Sequence, residues 1–314
     1  MSVCEGKKEE HMELAGITLN KTLVMTILAL TGVFSYRVGI IDEAVNKKLS
    51  ELVLTLFTPV LLFISFQKEF SEDLLSGLAE SVLLSLVSFA VIWLICKCVV
   101  CRQDKDYAAV ELIAMMYSNC GFIGIPMAQG IWGTDGVFYM TAYVAVANFL
   151  IWSHGIIVMS GKKDFKSLKN VFTSPTILAI VTGIFCFLAR IQVPAIVKEP
   201  MEMVAAMNTP MAMMVAGINI AQADLRRTFT KFRLYWLSFV KLIVMPAALI
   251  GLFRLTPAGD EVKTVMVLAT SCPVGVTGSL FAMRYGKDAV YASELFAMST
   301  IISIVTAPLM MLLC

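Results

Sequence analysis

Charge is what this sequence has least of. Asp, Glu, Lys and Arg make up 15% of its 314 residues, against roughly a quarter in an ordinary soluble domain. Apolar residues make up 58%, and the mean hydropathy is +0.81. That balance excludes a soluble globular domain and implies a polytopic membrane protein in a lipid bilayer. Histidine is scarce, with two in the chain, and the eight cysteines are scattered. Cys96, Cys98 and Cys101 cluster where a helix reaches a membrane surface. Without a second Cys or His pair they make no metal site and read as reduced thiols at a helix end. A net charge of +2, with no basic stripe and no interleaved aromatics, offers no surface for nucleic acid. No phosphate loop, nucleophile elbow, paired catalytic carboxylates or zinc signature is present, so neither an enzyme nor a cofactor is expected. A cleavable signal peptide is missing too. Residues 1–16 are polar and mixed in charge, without the short apolar core and small-residue cleavage site. They are expected to be a tail ahead of the first span, either disordered or an artefact of start-site choice.

What is there is a series of apolar runs. Hydropathy predicts ten spans: about Thr18 to Val38, Leu49 to Phe66, Leu74 to Val100, Tyr107 to Trp132, Val137 to Met159, Pro175 to Ile191, Met203 to Ala221, Leu234 to Leu255, Val262 to Met283 and Val290 to Leu313. The fourth carries Ser118-Asn119-Cys120-Gly121-Phe122-Ile123-Gly124-Ile125-Pro126 at its centre. Proline removes a backbone donor and clashes with the preceding turn, and two glycines weaken the helix further. Non-helical backbone at membrane depth survives only when buried in protein or lining a wet cavity. The fourth span is therefore predicted to be a broken helix, the kind that carries binding sites in secondary transporters. Lys and Arg concentrate in alternate loops: Arg37, Lys47 and Lys48; Lys97, Arg102 and Lys105; Lys162 to Lys169; Arg226 to Arg233; Arg284 and Lys287. By the positive-inside rule these loops are cytoplasmic and both termini lie outside.

The chain also repeats itself weakly, at a spacing of about 150 residues. Thr31-Gly32-Val33-Phe34 matches Thr182-Gly183-Ile184-Phe185, Thr58-Pro59 matches Thr209-Pro210, and Gly133-x-Asp135-x-Val137 matches Gly286-x-Asp288-x-Val290. In the last register Ser118 falls on Ser271, Asn119 on Cys272, Cys120 on Pro273 and Gly124 on Thr277. A repeat with an odd number of spans must invert in the membrane. The predicted fold is all-α: two inverted five-helix repeats, 17–160 and 175–314, joined by a basic cytoplasmic loop at 161–174, with broken helices 4 and 9 crossing at the midplane.

Several of these motifs resemble the auxin efflux carrier family: Asn119-x-Gly121-Phe122-x-Gly124-x-Pro126, then Trp132-Gly133-x-x-Gly136 with Asn148 and Trp152; Lys48-Leu49-Ser50 leading to Thr58-Pro59; Ser174-Pro175-Thr176-Ile177; Thr209-Pro210-Met211-Ala212; and Ser299-Thr300-x-x-Ser303 before Thr306-x-Pro308. The long central hydrophilic loop of the plant hormone carriers is absent. The chain is more similar to the compact bacterial members labelled malonate or other dicarboxylate permeases. The resemblance implies a fold like the bile acid symporters and sodium/proton antiporters. Helices 1, 2, 6 and 7 would form a scaffold and a homodimer surface, and helices 3–5 and 8–10 a transport layer. It also implies a small organic anion (malonate, malate or an auxin-like acid), elevator-type movement, and a bacterial plasma membrane. Asn119 and Pro126 are the best-matched site residues.

The chemistry of the breaks agrees with an anion. Each second half-helix presents free N–H groups and partial positive charge at its start. Pro126 suits a first helical turn, Gly121 and Gly124 let a ligand approach the backbone, and Asn119 can donate to a carboxylate. Ser118, Ser271 and Thr277 offer hydroxyls, with Cys272, Pro273 and Gly275 completing the second crossing. Alternatively these groups only satisfy broken backbone. Two charged residues remain open. Lys241, inside the eighth span, either attracts the anion or snorkels to the inner face. Glu111, one turn into the fourth, is the candidate for coupling to a proton or sodium, or else sits in an ion pair. A cation/proton antiporter and a ligand-binding sensor without flux are the alternatives. The first is disfavoured because 118–126 and 271–279 hold no carboxylate.

Overall fold

The computed structural model describes residues 2–100, 104–161, 174–222 and 228–314. Most of the basic loop at 161–174 lies outside the described residues, as do Cys101, Arg102, Arg226 and Arg227. The described chain is helical throughout, with one isolated antiparallel bridge. In order the helices are α1 (Ser2–Arg37), α2 (Glu43–Leu52), α3 (Thr58–Ser65), α4 (Glu72–Val99), α5 (Lys105–Met116), α6 (Ile125–Leu150), α7 (Ile156–Ser160), α8 (Pro175–Leu188), α9 (Ala195–Ala206), α10 (Asn208–Gln222), α11 (Phe232–Phe239), α12 (Met245–Phe253), α13 (Asp260–Ser271), α14 (Thr277–Arg284) and α15 (Ala289–Met311).

Helix starts follow local chemistry. Asp42, Ser71, Asp104, Ser174 and Asp288 each accept a hydrogen bond from a backbone N–H two or three residues on, which satisfies a donor the first turn leaves free. Pro59, Pro126 and Pro246 are each the second residue of their helix and each follows a π-helical turn, Val53–Phe57, Cys120–Gly124 and Val240–Val244. A proline ring clashes with the carbonyl four residues back and gives it no donor. Widening the turn by one residue removes both problems. Where a polar tail was expected, α1 starts at Ser2, since the Lys- and Glu-rich segment is made of good helix formers.

Among the described residues seven helical stretches are long and apolar enough to cross a membrane: Leu19–Arg37, Glu43–Ser65, Glu72–Val99, Cys120–Ser160, Ala195–Gln222, Phe232–Phe253 and Ala289–Met311. This count is consistent with ten spans, for physical reasons. The fourth and ninth are interrupted, so no single half has the length. The second half of the fourth runs into the fifth through a bend at Gly133 (φ 63°, ψ −141°), a conformation only glycine adopts at no steric cost. The sixth, α8, has 14 residues.

Packing repeats along with the sequence. α1 lies along α10, and α3 against α8; these are spans 1 with 7 and 2 with 6, which exchange when one repeat is laid on the other. α4, α6 and α13 pack together, and α15 packs on α11, α13 and α14. One continuous apolar core joins these groups.

Candidate functional site: the crossing of two interrupted helices

Both predicted breaks are present, and they meet. α5 stops at Met116, and Tyr117 is extended (φ −108°, ψ 110°). α13 stops at Ser271, with Cys272 extended (φ −64°, ψ 147°). Between them Ser118 and Val274 form the antiparallel bridge. The Asn119 N–H donates to the Pro273 carbonyl at 2.7 Å, and the Gly275 N–H donates to the Tyr117 carbonyl at 3.0 Å. The Val274 N–H donates to Ser299 Oγ on α15 at 3.0 Å. Broken backbone far from water must find partners, and here each break supplies them to the other.

The structure gathers Ser118, Asn119, Cys120 and Gly124 from the first crossing with Cys272, Pro273 and Gly275 from the second. A Cβ on Gly124 would sit 3.2 Å from Cys272 Sγ and 3.3 Å from Cys120 Cβ, and one on Gly275 would sit 3.2 Å from the Tyr117 carbonyl oxygen. Pro126 is buried in the first turn of α6, and Thr277 is half-buried at the start of α14. Ser271 and Cys272 turn back on their own helix, donating to the Val267 and Leu268 carbonyls. Gly121 differs from the other crossing glycines: a Cβ there would meet no atom within 4 Å. Asn119 is 4% exposed, and its amide nitrogen has no acceptor among the described residues. An unpaired buried amide is costly and rare.

Lys241 does not snorkel. Its side chain is fully buried, and Nζ donates to the Met115 carbonyl at 3.0 Å and to Ser118 Oγ at 2.8 Å. Glu111 lies apart from this centre. Its carboxylate, also fully buried, holds Arg233 in a two-pronged pair, Nε to Oε1 at 3.1 Å and Nη2 to Oε2 at 2.6 Å, and accepts from the Tyr291 hydroxyl at 2.8 Å. Arg233 Nη2 also donates to the Val99 carbonyl at 3.0 Å. Lys231 pairs with Glu294, and Lys287 with Asp106. His154 Nδ1 is 3.1 Å from the Tyr117 hydroxyl.

Sequence reasoning missed Arg233, Tyr291 and Tyr143. Arg233 was counted only as an inner-loop cation. Tyr143 is fully buried on the fifth span and stacks on Phe89 at 5.0 Å between ring centroids. Its hydroxyl is buried and has no hydrogen-bond partner among the described residues. A polar-tipped ring in the middle of an apolar run was the available signal. Beside the first crossing, a cavity of about 300 Å³ opens between α1, α10 and α15, with Ile123 and Met127 on its wall. Thr22, Thr26, Thr300 and Ser303 are among the residues that line it, and its size suits a small molecule.

Long apolar helices, with two interrupted helices paired at their breaks beside a small cavity, define a membrane transporter. A family model described as "Membrane transport protein" matches residues 17–166 and 164–311, nearly the whole chain divided where the repeats join, and the chain belongs to that family, the auxin efflux carriers. It is similar to an uncharacterized transporter of Methanocaldococcus jannaschii, 25% identical over 93% of this chain and 97% of the relative. It is also similar to the uncharacterized transporter YfdV of Escherichia coli K12, 25% identical over 91% of this chain and 94% of the relative. An uncharacterized transporter of Methanothermobacter thermautotrophicus is 24% identical, over 91% of this chain and 95% of its own length.

Proposed function

We propose that this transporter moves a small organic anion, a mono- or dicarboxylate such as malonate, malate or an auxin-like acid, and that the crossing holds its carboxylate. The observation that carries this reading is the Asn119 amide, buried and without an acceptor at the start of the second half of a broken helix. A carboxylate would accept from it and from the free N–H groups of that turn. The second crossing contributes the start of α14 near Thr277. Lys241 supplies a full positive charge one hydroxyl away, through Ser118. The open space at Gly121 is where the anion would approach the backbone. Residues 118–126 and 271–279 contain no carboxylate, which suits an anion and not a cation. Spans 1, 2, 6 and 7 form the scaffold in this reading. Spans 3–5 and 8–10 carry the site across by an elevator movement, in a bacterial plasma membrane with both termini outside.

The test is flux of radiolabelled malonate, malate and indole-acetate into proteoliposomes, with Asn119→Ala alongside. A hydrogen bond to a charged partner is worth about 1.5–3 kcal/mol, so the variant should bind the transported acid roughly 10- to 100-fold more weakly. Its ligand-free thermal stability should not fall, because the amide nitrogen has no acceptor among the described residues and removing it relieves a desolvation cost that offsets the lost packing. If no acid in a broad panel moves, the anion reading fails. If Asn119→Ala transports normally, the assignment of the site fails. Gly121→Ala separates space for ligand from space for folding. Its methyl meets nothing in the protein, so unfolding should be unchanged or slightly delayed, while uptake falls at least several-fold.

A further inference from the structure

We propose that Lys241 is a tethered cation that occupies the place a coupling cation would otherwise take, so that transport through this crossing needs neither sodium nor potassium. The proposal rests on the reading of the crossing as a transport site. An interrupted helix leaves carbonyl oxygens unpaired at the end of its first half, and such ends, with unwound carbonyls, are where transporters of this architecture coordinate small cations. Met115 is one residue from the end of α5. Its carbonyl would ordinarily accept from the N–H of Asn119, four residues on, but that N–H is taken by the Pro273 carbonyl. The freed oxygen, together with Ser118 Oγ, receives Lys241 Nζ instead.

The eighth span is shaped to deliver this charge. Lys241 lies in the π-helical turn Val240–Val244 that precedes Pro246, and such turns are frequent at functional sites. Its ammonium is held by a carbonyl and a hydroxyl, and among the described residues it forms no ion pair with a carboxylate. An ammonium buried without a counter-charge is expensive and marks a functional position inside a membrane. Of its three N–H groups, two are engaged within the protein and one is left for a ligand. A positive charge fixed in the site does the electrostatic work of a co-bound cation for an incoming carboxylate.

The test removes the tether and offers a free cation. Purified protein, without organic anion, is unfolded thermally in choline, sodium, potassium and methylammonium chlorides at constant ionic strength. The unmodified protein should unfold at one temperature in all four. Lys241→Ala should unfold earlier in choline and recover by about 2 °C in sodium or methylammonium at roughly ten times the dissociation constant. Lys241→Met, which fills the vacated space, should not recover. Specific stabilisation of the unmodified protein by sodium or potassium overturns the proposal, even if neither variant folds. So does equal behaviour of Lys241→Ala in every salt. In proteoliposomes a sodium or methylammonium gradient should drive malonate or indole-acetate uptake by Lys241→Ala and not by the unmodified protein, a gain that a merely structural lysine would not give. Uptake driven equally in both overturns the proposal. Failure of every acid to move refutes the anion reading and leaves the thermal result to decide this one.

Discussion

Gly217→Val should destabilise the protein by about 3 kcal/mol or more, at the upper end of what overpacking costs. A Cβ at Gly217 would lie 1.9 Å from the carbonyl oxygen of Ala29, and one at Gly32 would lie 2.1 Å from that of Met214. The obstacle in both cases is backbone, which no change of rotamer can clear. α1 and α10 approach closely because each presents a glycine to the other's main chain, the small-residue contact that membrane helices use where no hydrophobic drive separates protein from lipid. A side chain at either position must push the helices apart along a contact that also walls the cavity beside Ile123 and Met127. The symmetry mate behaves differently. A Cβ on Gly183 would meet the ring of Phe66 at 2.6 Å, a side chain and not backbone, so Gly183→Ala should cost less than Gly217→Ala. Gly251→Val on α12, where nothing lies within 4 Å, is the control and should unfold with the unmodified protein. Thermal unfolding in detergent, followed by helix content, measures all four.

That contact also shows how much of the molecule could be read beforehand. Gly32 and Gly183 were matched as repeat mates from the sequence, and the inversion of the repeat implied that spans 1 and 7 and spans 6 and 2 would be equivalent pairs, as their packing is. The break at Ser118 to Pro126 was legible because proline and glycine act locally on the backbone, and the break at Ser271 to Gly278 followed through the repeat. The bridge between Ser118 and Val274 was not legible: periodicity places residues on a helix but says nothing about which broken strand faces which. Lys241 stayed open for a related reason. Hydropathy fixes the depth of a side chain and leaves its azimuth free, and it was the π-helical turn before Pro246, together with an unpaired carbonyl on another span, that aimed the amine inward. Glu111 has its partner Arg233 on a span 122 residues away, so no local rule could have joined them. The boundary between the fourth and fifth spans, read from the sequence between Trp132 and Val137, falls at the bend of Gly133, where positive φ does the work of a longer loop.

Arg233→Ala should be the most damaging single change at the start of the eighth span, costing about 3–5 kcal/mol. Glu111 is fully buried while Arg233 reaches it from a partly exposed position, with a side chain about 30% accessible. Removing the guanidinium strips two charge-assisted bonds from the buried carboxylate at once, while the bond from the neutral Tyr291 hydroxyl stays. The loss is the penalty of weakening the support of a buried charge and not the intrinsic worth of the pair, so the companion experiment decides the explanation. The double variant Glu111→Gln, Arg233→Met replaces charge by neutral groups of similar volume and should recover most of the lost stability; recovery of none of it would mean that Arg233 acts through its bond to Val99 instead. Transport separates two roles for Glu111. As a fixed tie between α5, α11 and α15 it holds the first half of the fourth span against its neighbours, and the double variant, once stable, should carry the transported substrate at close to the unmodified rate with the same dependence on pH. As a coupling carboxylate it could not be replaced by glutamine, and the double variant would fold yet lose any proton- or sodium-driven component of uptake. The two-pronged guanidinium pair favours the first outcome, because a carboxylate bound on both oxygens by a permanent cation is held as a structural anion.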